Sequence, residues 1–141
     1  MKRLVFDTSS SWVVAGVWSE SGWIGTIEKA EAQSQSKELF VVLEELLAFY
    51  QIPKSEITEL AVGIGPGSYT GLRIGITVAK IWSYAANIPL YQFSSQSILE
   101  RSKEKNPEID HPDIGLMKSE DFQLVEDRNA IVPVYSNDHF S

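Results

Sequence analysis

Residues 63–75 read GIGPGSYTGLRIG, five glycines and a proline in thirteen positions, set between the apolar run Leu60–Val62 and a long apolar helical pattern. That order makes a strand-to-helix turn. Such a loop can cradle a phosphate, because glycine lets backbone N–H groups approach an anion at the positive end of a helix. It can equally be a turn that needs positive φ and close packing of helix on sheet. Gly65, Gly67 and Gly71 are spaced G-x-G-x-x-x-G, which is not the dinucleotide fingerprint, and no Gly-Lys-Ser/Thr follows to make a nucleoside-triphosphate loop. Loop chemistry alone favours the turn.

Upstream, Leu4–Phe6 is a short apolar run suited to a central strand. Ser9–Ser11 turns the chain into Trp12–Trp18, and Ser21–Gly22 into Trp23–Ile27. Three antiparallel strands are expected there. From about Ser34 to Tyr50, Leu39, Leu43, Leu46, Leu47 and Tyr50 recur at helical spacing, and Phe40, Val41, Val42 and Phe49 widen the apolar face beyond what one core contact needs. Leu60–Gly63 is the fourth strand. A second helix runs from Thr70, as N-cap, to about Ala86, apolar almost all round through Leu72, Ile76, Ala79 and Trp82. Leu90–Phe93 follows as a fifth strand, parallel to the fourth. Ser97–Lys105 reads as a short helix, and Ala130–Tyr135 as an edge strand that Pro133 bars from a central place. The class is α/β, with a mixed five-stranded sheet flanked by helices.

With 43% hydrophobic residues in 141, the chain can bury one core. The net charge of −7, from 19 acidic and 12 basic residues without a basic cluster, argues against a stand-alone nucleic-acid binder. The chain has no cysteine, which removes thiolate chemistry and fits a reducing compartment. Asp7 and the hydroxyl residues after it cut the first apolar stretch too short for a signal peptide, and no run reaches the roughly 18 apolar residues of a membrane span. A cytoplasmic protein is expected.

DTSSS, residues 7–11, could present Asp7 to a metal-bound water and hydroxyls to a phosphate, or form a hydrogen-bonded turn. The turn is favoured. His111 and His139 lie in a weakly patterned tail, where exposure is expected, and receive no role. Arg73 could pair with Asp7, contact an anion or reach a partner. The apolar excess on the two long helices favours an interface.

The segments LVFDTSSSWVVAGVW and AVGIGPGSYTGLRIGITVAKIWSYAANIPLYQFSS, with the helix between them, resemble the bacterial TsaB family, also called YeaZ. The string at Gly65–Gly75 meets the family's G-P-G-S-[FY]-T-G-[LV]-R-I-G pattern without a mismatch, and the resemblance runs from residue 1 to about 98. It implies half of an actin-like, ribonuclease H-like ATPase fold, with degenerate phosphate loops at Asp7, Thr8, Ser9 and Ser10 and at Gly65, Gly67, Ser68 and Thr70. It implies a non-catalytic subunit in threonylcarbamoyl modification of tRNA adenosine, without cofactor or metal: SSQS at Ser94–Ser97 stands where the catalytic paralogue TsaD carries a His-x-x-x-His pair. The implied partners are a TsaD-type catalytic subunit, a second copy in its absence, and a TsaE-like ATPase, with tRNA met only through the complex. The implied interface is Leu39, Leu43, Leu46 and Tyr50 on one helix and Leu72, Arg73, Ile76, Ala79 and Trp82 on the other. Two departures stand out. QSQS at Gln33–Ser36 replaces a histidine common in the family, and only about forty residues follow Ser97, so that 99–141 reads as a remnant of a second domain or a tail. A minimal ATP-binding or ATPase domain and a homodimeric structural or regulatory protein are the alternatives.

Overall fold

Leu4, Val5 and Phe6 are all fully buried, because β1 (Lys2–Asp7) runs through the middle of a sheet covered on both faces. The computed structural model describes residues 1–30 and 35–135. β1 pairs antiparallel with β2 (Trp12–Ser19), and β2 with β3 (Gly22–Ala30). On its other side β1 pairs parallel with β4 (Glu59–Gly63), and β4 pairs parallel with β5 (Leu90–Phe93). Both parallel neighbours are reached through helices, α1 (Gln35–Phe49) before β4 and α2 (Tyr69–Ala86) between β4 and β5. A two-residue strand, β6 (Gln123–Leu124), closes the order β3-β2-β1-β4-β5-β6. The sheet therefore has six strands rather than five. The extra one is not Ala130–Tyr135: Arg128–Ala130 is a short 3-10 turn, and the chain beyond crosses the end of the sheet without entering the ladder.

Side-chain alternation along each strand sorts the core into two layers. Leu4, Phe6, Val13, Ala15, Leu60 and Val62 face α1 and α2, which return Leu39, Leu43, Leu46, Ile76 and Ala79 to them. Val5, Val14, Ala61 and Phe93 face the other way, against Ile98 of α3 (Ser95–Lys105) and against Ile114, Met117 and Phe122. The stretch beyond residue 98 thus covers the second face of the sheet. Arg101 fastens it with two bonds to Asp121, at 2.9 and 2.8 Å. At the base of the same face Arg3 is buried between the rings of Tyr91 and Phe122, 3.8 and 4.6 Å from their centroids, with its guanidinium 2.9 Å from Glu59.

The N-cap of α2 is Ser68 and not Thr70: the Ser68 hydroxyl accepts from the Gly71 N–H at 3.2 Å, so the helix begins one residue before the expected cap. Asn87, in the left-handed conformation, ends it. Among the described residues no helix is long and apolar enough to cross a membrane. Gln33, Ser34 and His139, which entered the sequence reading, lie outside the described residues.

Candidate functional site

β1 and β4 end side by side, which brings the loop after Asp7 against the glycine loop after Gly63. Asp7 is fully buried, and each carboxylate oxygen already has a protein donor. Oδ1 accepts from the Ser9 N–H at 2.9 Å and the Ser9 hydroxyl at 2.6 Å, and Oδ2 accepts from the Ser95 hydroxyl at 2.5 Å. Burial pushes the Asp7 carboxyl above the usual carboxylate range, against the opposing pull of the Ser9 and Ser95 bonds. Ser95 also accepts from the Gly65 N–H at 3.0 Å, so one hydroxyl joins the end of β1, the glycine loop and the start of α3.

The two loops then meet directly. The Ser68 N–H donates to the Ser9 carbonyl at 2.7 Å, and the Thr8 hydroxyl to the Gly71 carbonyl at 2.6 Å. A Cβ on Gly67 would collide with the Ser9 carbonyl, so this contact needs glycine. Gly65 has φ +98°, a conformation that also favours glycine. The loop is covered from outside as well: the Val134 N–H donates to the Ile64 carbonyl at 2.7 Å, and Tyr135 stacks on Tyr69 with centroids 4.9 Å apart. An actin-like fold implies a nucleotide and a metal here, yet Asp7, Thr8, Ser9, the Ser68 N–H and the Gly65 N–H are all bonded to one another or to Ser95 and Gly71. As arranged, these groups do not fit a triphosphate. Ser10 takes no part; its hydroxyl accepts from the Trp12 N–H at 3.0 Å. Thr70 is exposed on the first turn of α2.

The interface residues divide differently. Leu39, Leu43, Leu46, Leu72, Ile76 and Ala79 are buried in the core and do not reach the surface, because the sheet takes up the strongest apolar stripe of each helix. Tyr50, Arg73 and Trp82 are not buried. Arg73 does not pair with Asp7; it is exposed, and its guanidinium donates to the Tyr69 hydroxyl at 2.9 Å. The large apolar side chains that α1 and α2 leave outside are others: Phe40, Phe49, Tyr69, Ile81 and Tyr84, at 52, 79, 55, 63 and 77% exposure. Phe40, Val78, Ile81 and Trp82 line a groove of about 250 Å³ between the helices. Periodicity marked these helices as over-provided with apolar residues but could not say which stripe faced inward.

Two further residues matter here that no local pattern marks. Ser95 lies in the SSQS stretch, and its role depends on β5 lying two strands from β1. His111 is the other: it is buried instead of exposed, its ring tilted 31° against Trp12 with centroids 4.4 Å apart. Among the described residues no group of three or more histidines and carboxylates is placed to hold a metal ion.

Comparisons with known proteins add a lineage to this geometry. The model of the family described as TsaD, tRNA N6-adenosine threonylcarbamoyltransferase, matches residues 23–119. The tRNA threonylcarbamoyladenosine biosynthesis protein TsaB of Bacillus subtilis (strain 168) is 29% identical over 99 residues, which cover 70% of this chain and 43% of that protein. A tRNA N6-adenosine threonylcarbamoyltransferase of Legionella pneumophila (strain Corby) is 30% identical over 107 residues, 74% of this chain and 32% of that protein. The chain thus spans less than half the length of these curated relatives. In the solved structure of YeaZ from Pseudomonas aeruginosa, the fold recurs with a TM-score of 0.68 at 19% identity, over 89% of this chain and 65% of that one.

Proposed function

The chain belongs to the TsaD and TsaB (YeaZ) family of actin-like proteins, and from that premise we propose that it is a non-catalytic scaffold subunit in threonylcarbamoyl modification of tRNA adenosine. The observation that carries this reading is the closure of the two loops on each other. Asp7 bonded to Ser9 and Ser95, and Ser68 bonded to Ser9, hold the strand ends together with the groups a phosphate would otherwise use. The second support lies on α1 and α2, where Phe40 and Ile81 stand exposed on an apolar groove. An apolar surface of that kind is covered in use by another protein. The reading assigns the chemistry to a TsaD-type partner seated on those helices.

Light scattering after size-exclusion chromatography, with the chain alone and mixed with the TsaD-type protein of its own organism, tests this. A one-to-one complex is expected, and Phe40→Asp or Ile81→Asp should abolish it while leaving the circular dichroism spectrum unchanged. Asp7→Asn should leave pairing and tRNA modification intact. Loss of modification in Asp7→Asn with pairing preserved would sink the scaffold reading and favour a nucleotide-using one. A homodimer indifferent to the TsaD-type protein would favour a structural role.

A further inference from the structure

Register places Asp7, Val14 and Glu28 in one row across β1, β2 and β3, on the face of the sheet that α3 covers. His111 lies over the outer end of this row, brought there by the segment that follows α3. Its Nε2 is 2.8 Å from Glu28 Oε2, and its Nδ1 is 3.1 Å from Asp110 Oδ1. Trp12 closes the third side, its ring packed at a tilt against the imidazole. Ionised carboxylates only accept hydrogen bonds, so both contacts form together when each ring nitrogen carries a proton. A neutral ring has one bare nitrogen, which would set lone pair against lone pair at one of the two carboxylates.

From this geometry we infer that His111 is a proton-operated clamp, fastening the segment after α3 to the edge strand β3 when its ring carries both protons and releasing one side when it loses a proton. The charged groups that face the ring are Glu28 from β3, Asp110 from its own segment and, through space, Asp7 from β1. All three are acidic, and no cation competes among them. Lys29, next to Glu28 in sequence, lies on the opposite face with Glu38 and Glu45 of α1. The His111 bond holds the Asp110 carboxyl below the usual range, so that side stays ionised well into acid. The clamp is therefore complete while the ring carries both protons, and one side opens when it carries only one.

What the clamp holds matters for its reach. Trp12, under the ring, follows Ser10 and Ser11 directly, and Asp110 leads into the turn at Ile114–Leu116 that packs on β2 and β3. Release would loosen the outer edge of the sheet without touching the bonds of Asp7 to Ser9 and Ser95.

The test is long-range proton–nitrogen spectroscopy of the full chain carrying His139→Gln, so that a single imidazole reports, followed from about pH 5 to 8. Both ring nitrogens are expected protonated at the acid end. Loss of one proton should move the Glu28 amide, the Trp12 indole and the amides of residues 109–111 and 113 with one common midpoint. Amide exchange at residues 109–111 and 113 should quicken about three- to tenfold beyond its intrinsic pH dependence, the net scale of one ordinary hydrogen bond. Glu28→Gln, which keeps the shape and removes the charge, should reduce that extra change by at least half. A ring that stays neutral throughout, or one that titrates while Glu28 and residues 109–113 stay still, overturns the inference. So does an exchange response unaltered in Glu28→Gln.

Discussion

The two faces of this sheet are held by different chemistry. The α1 and α2 face is apolar from strand to helix, with Leu39, Leu46, Leu72 and Ala79 fully or almost fully buried and spare apolar side chains left outside. On the α3 face a thinner apolar layer is joined by polar devices: Asp7 with Ser9 and Ser95, Arg3 with Glu59 between two rings, Arg101 with Asp121, and His111 between Glu28 and Asp110. Apolar burial is non-directional and tolerates many sequences, whereas each polar device depends on a particular pair in a particular place. One face can thus afford an outer surface for a partner, and the other fixes where the loops lie.

The largest contrast should come from the apolar face itself. Leu72→Ala removes a fully buried side chain and should cost about 2–5 kcal/mol in urea unfolding, while Ile81→Ala, exposed on the same helix, should stay within about 0.5 kcal/mol. Similar losses for the two would erase the distinction between the inner and outer stripes of α2. Next comes Ser95→Ala, which leaves Asp7 Oδ2 and the Gly65 N–H without their partner and should cost about 1–3 kcal/mol by the same measurement. A neutral result would mean that the loops are held by backbone contacts alone.

Asp7→Asn sharpens the comparison through pH. Burial raises the Asp7 carboxyl in the folded chain, so the stability its neutral form contributes is fully present below the ordinary aspartate value of about 3.9 and is lost as pH rises through the folded value. Asparagine does not ionise. The variant should therefore gain on the parent as pH is raised from acid to neutral, and a difference that runs the other way would show that Ser9 and Ser95 outweigh burial. Smallest of all is Glu45→Gln: its ion pair with Lys29, at 3.7 Å, is exposed, and stability should change by no more than about 0.5 kcal/mol.

The same division governs what could be read in the sequence. β1, β2, β4, α2 and β5 are legible because short apolar runs and helical apolar spacing are local signals, and the string at Gly65–Gly75 carries the family resemblance. The polar face left no such trace. Ser95 and Asp7 are 88 positions apart and His111 and Glu28 are 83 apart, so no window along the chain contains either pair. β6 leaves no trace because two residues carry no period, and Ile131, Val132 and Val134 imitate a strand that the chain does not form there. The inner stripes of α1 and α2 were mistaken for the outer because both are apolar, and only the sheet decides between them.

The long reach of the bond between Ser95 and Asp7 has a kinetic consequence. β1 to β3 can zip from neighbouring turns, but β4 docks on β1 across 56 positions and the Ser95 bond closes 88, so the entropy of loop closure places it late in folding. A contact formed after the rate-limiting step acts on the way out and not on the way in. In stopped-flow experiments Ser95→Ala should hasten unfolding and leave refolding at its parent rate; a slowed refolding arm would place the bond in the nucleus instead. On this account the loop junction sets how long a folded molecule lasts, rather than how quickly one is made.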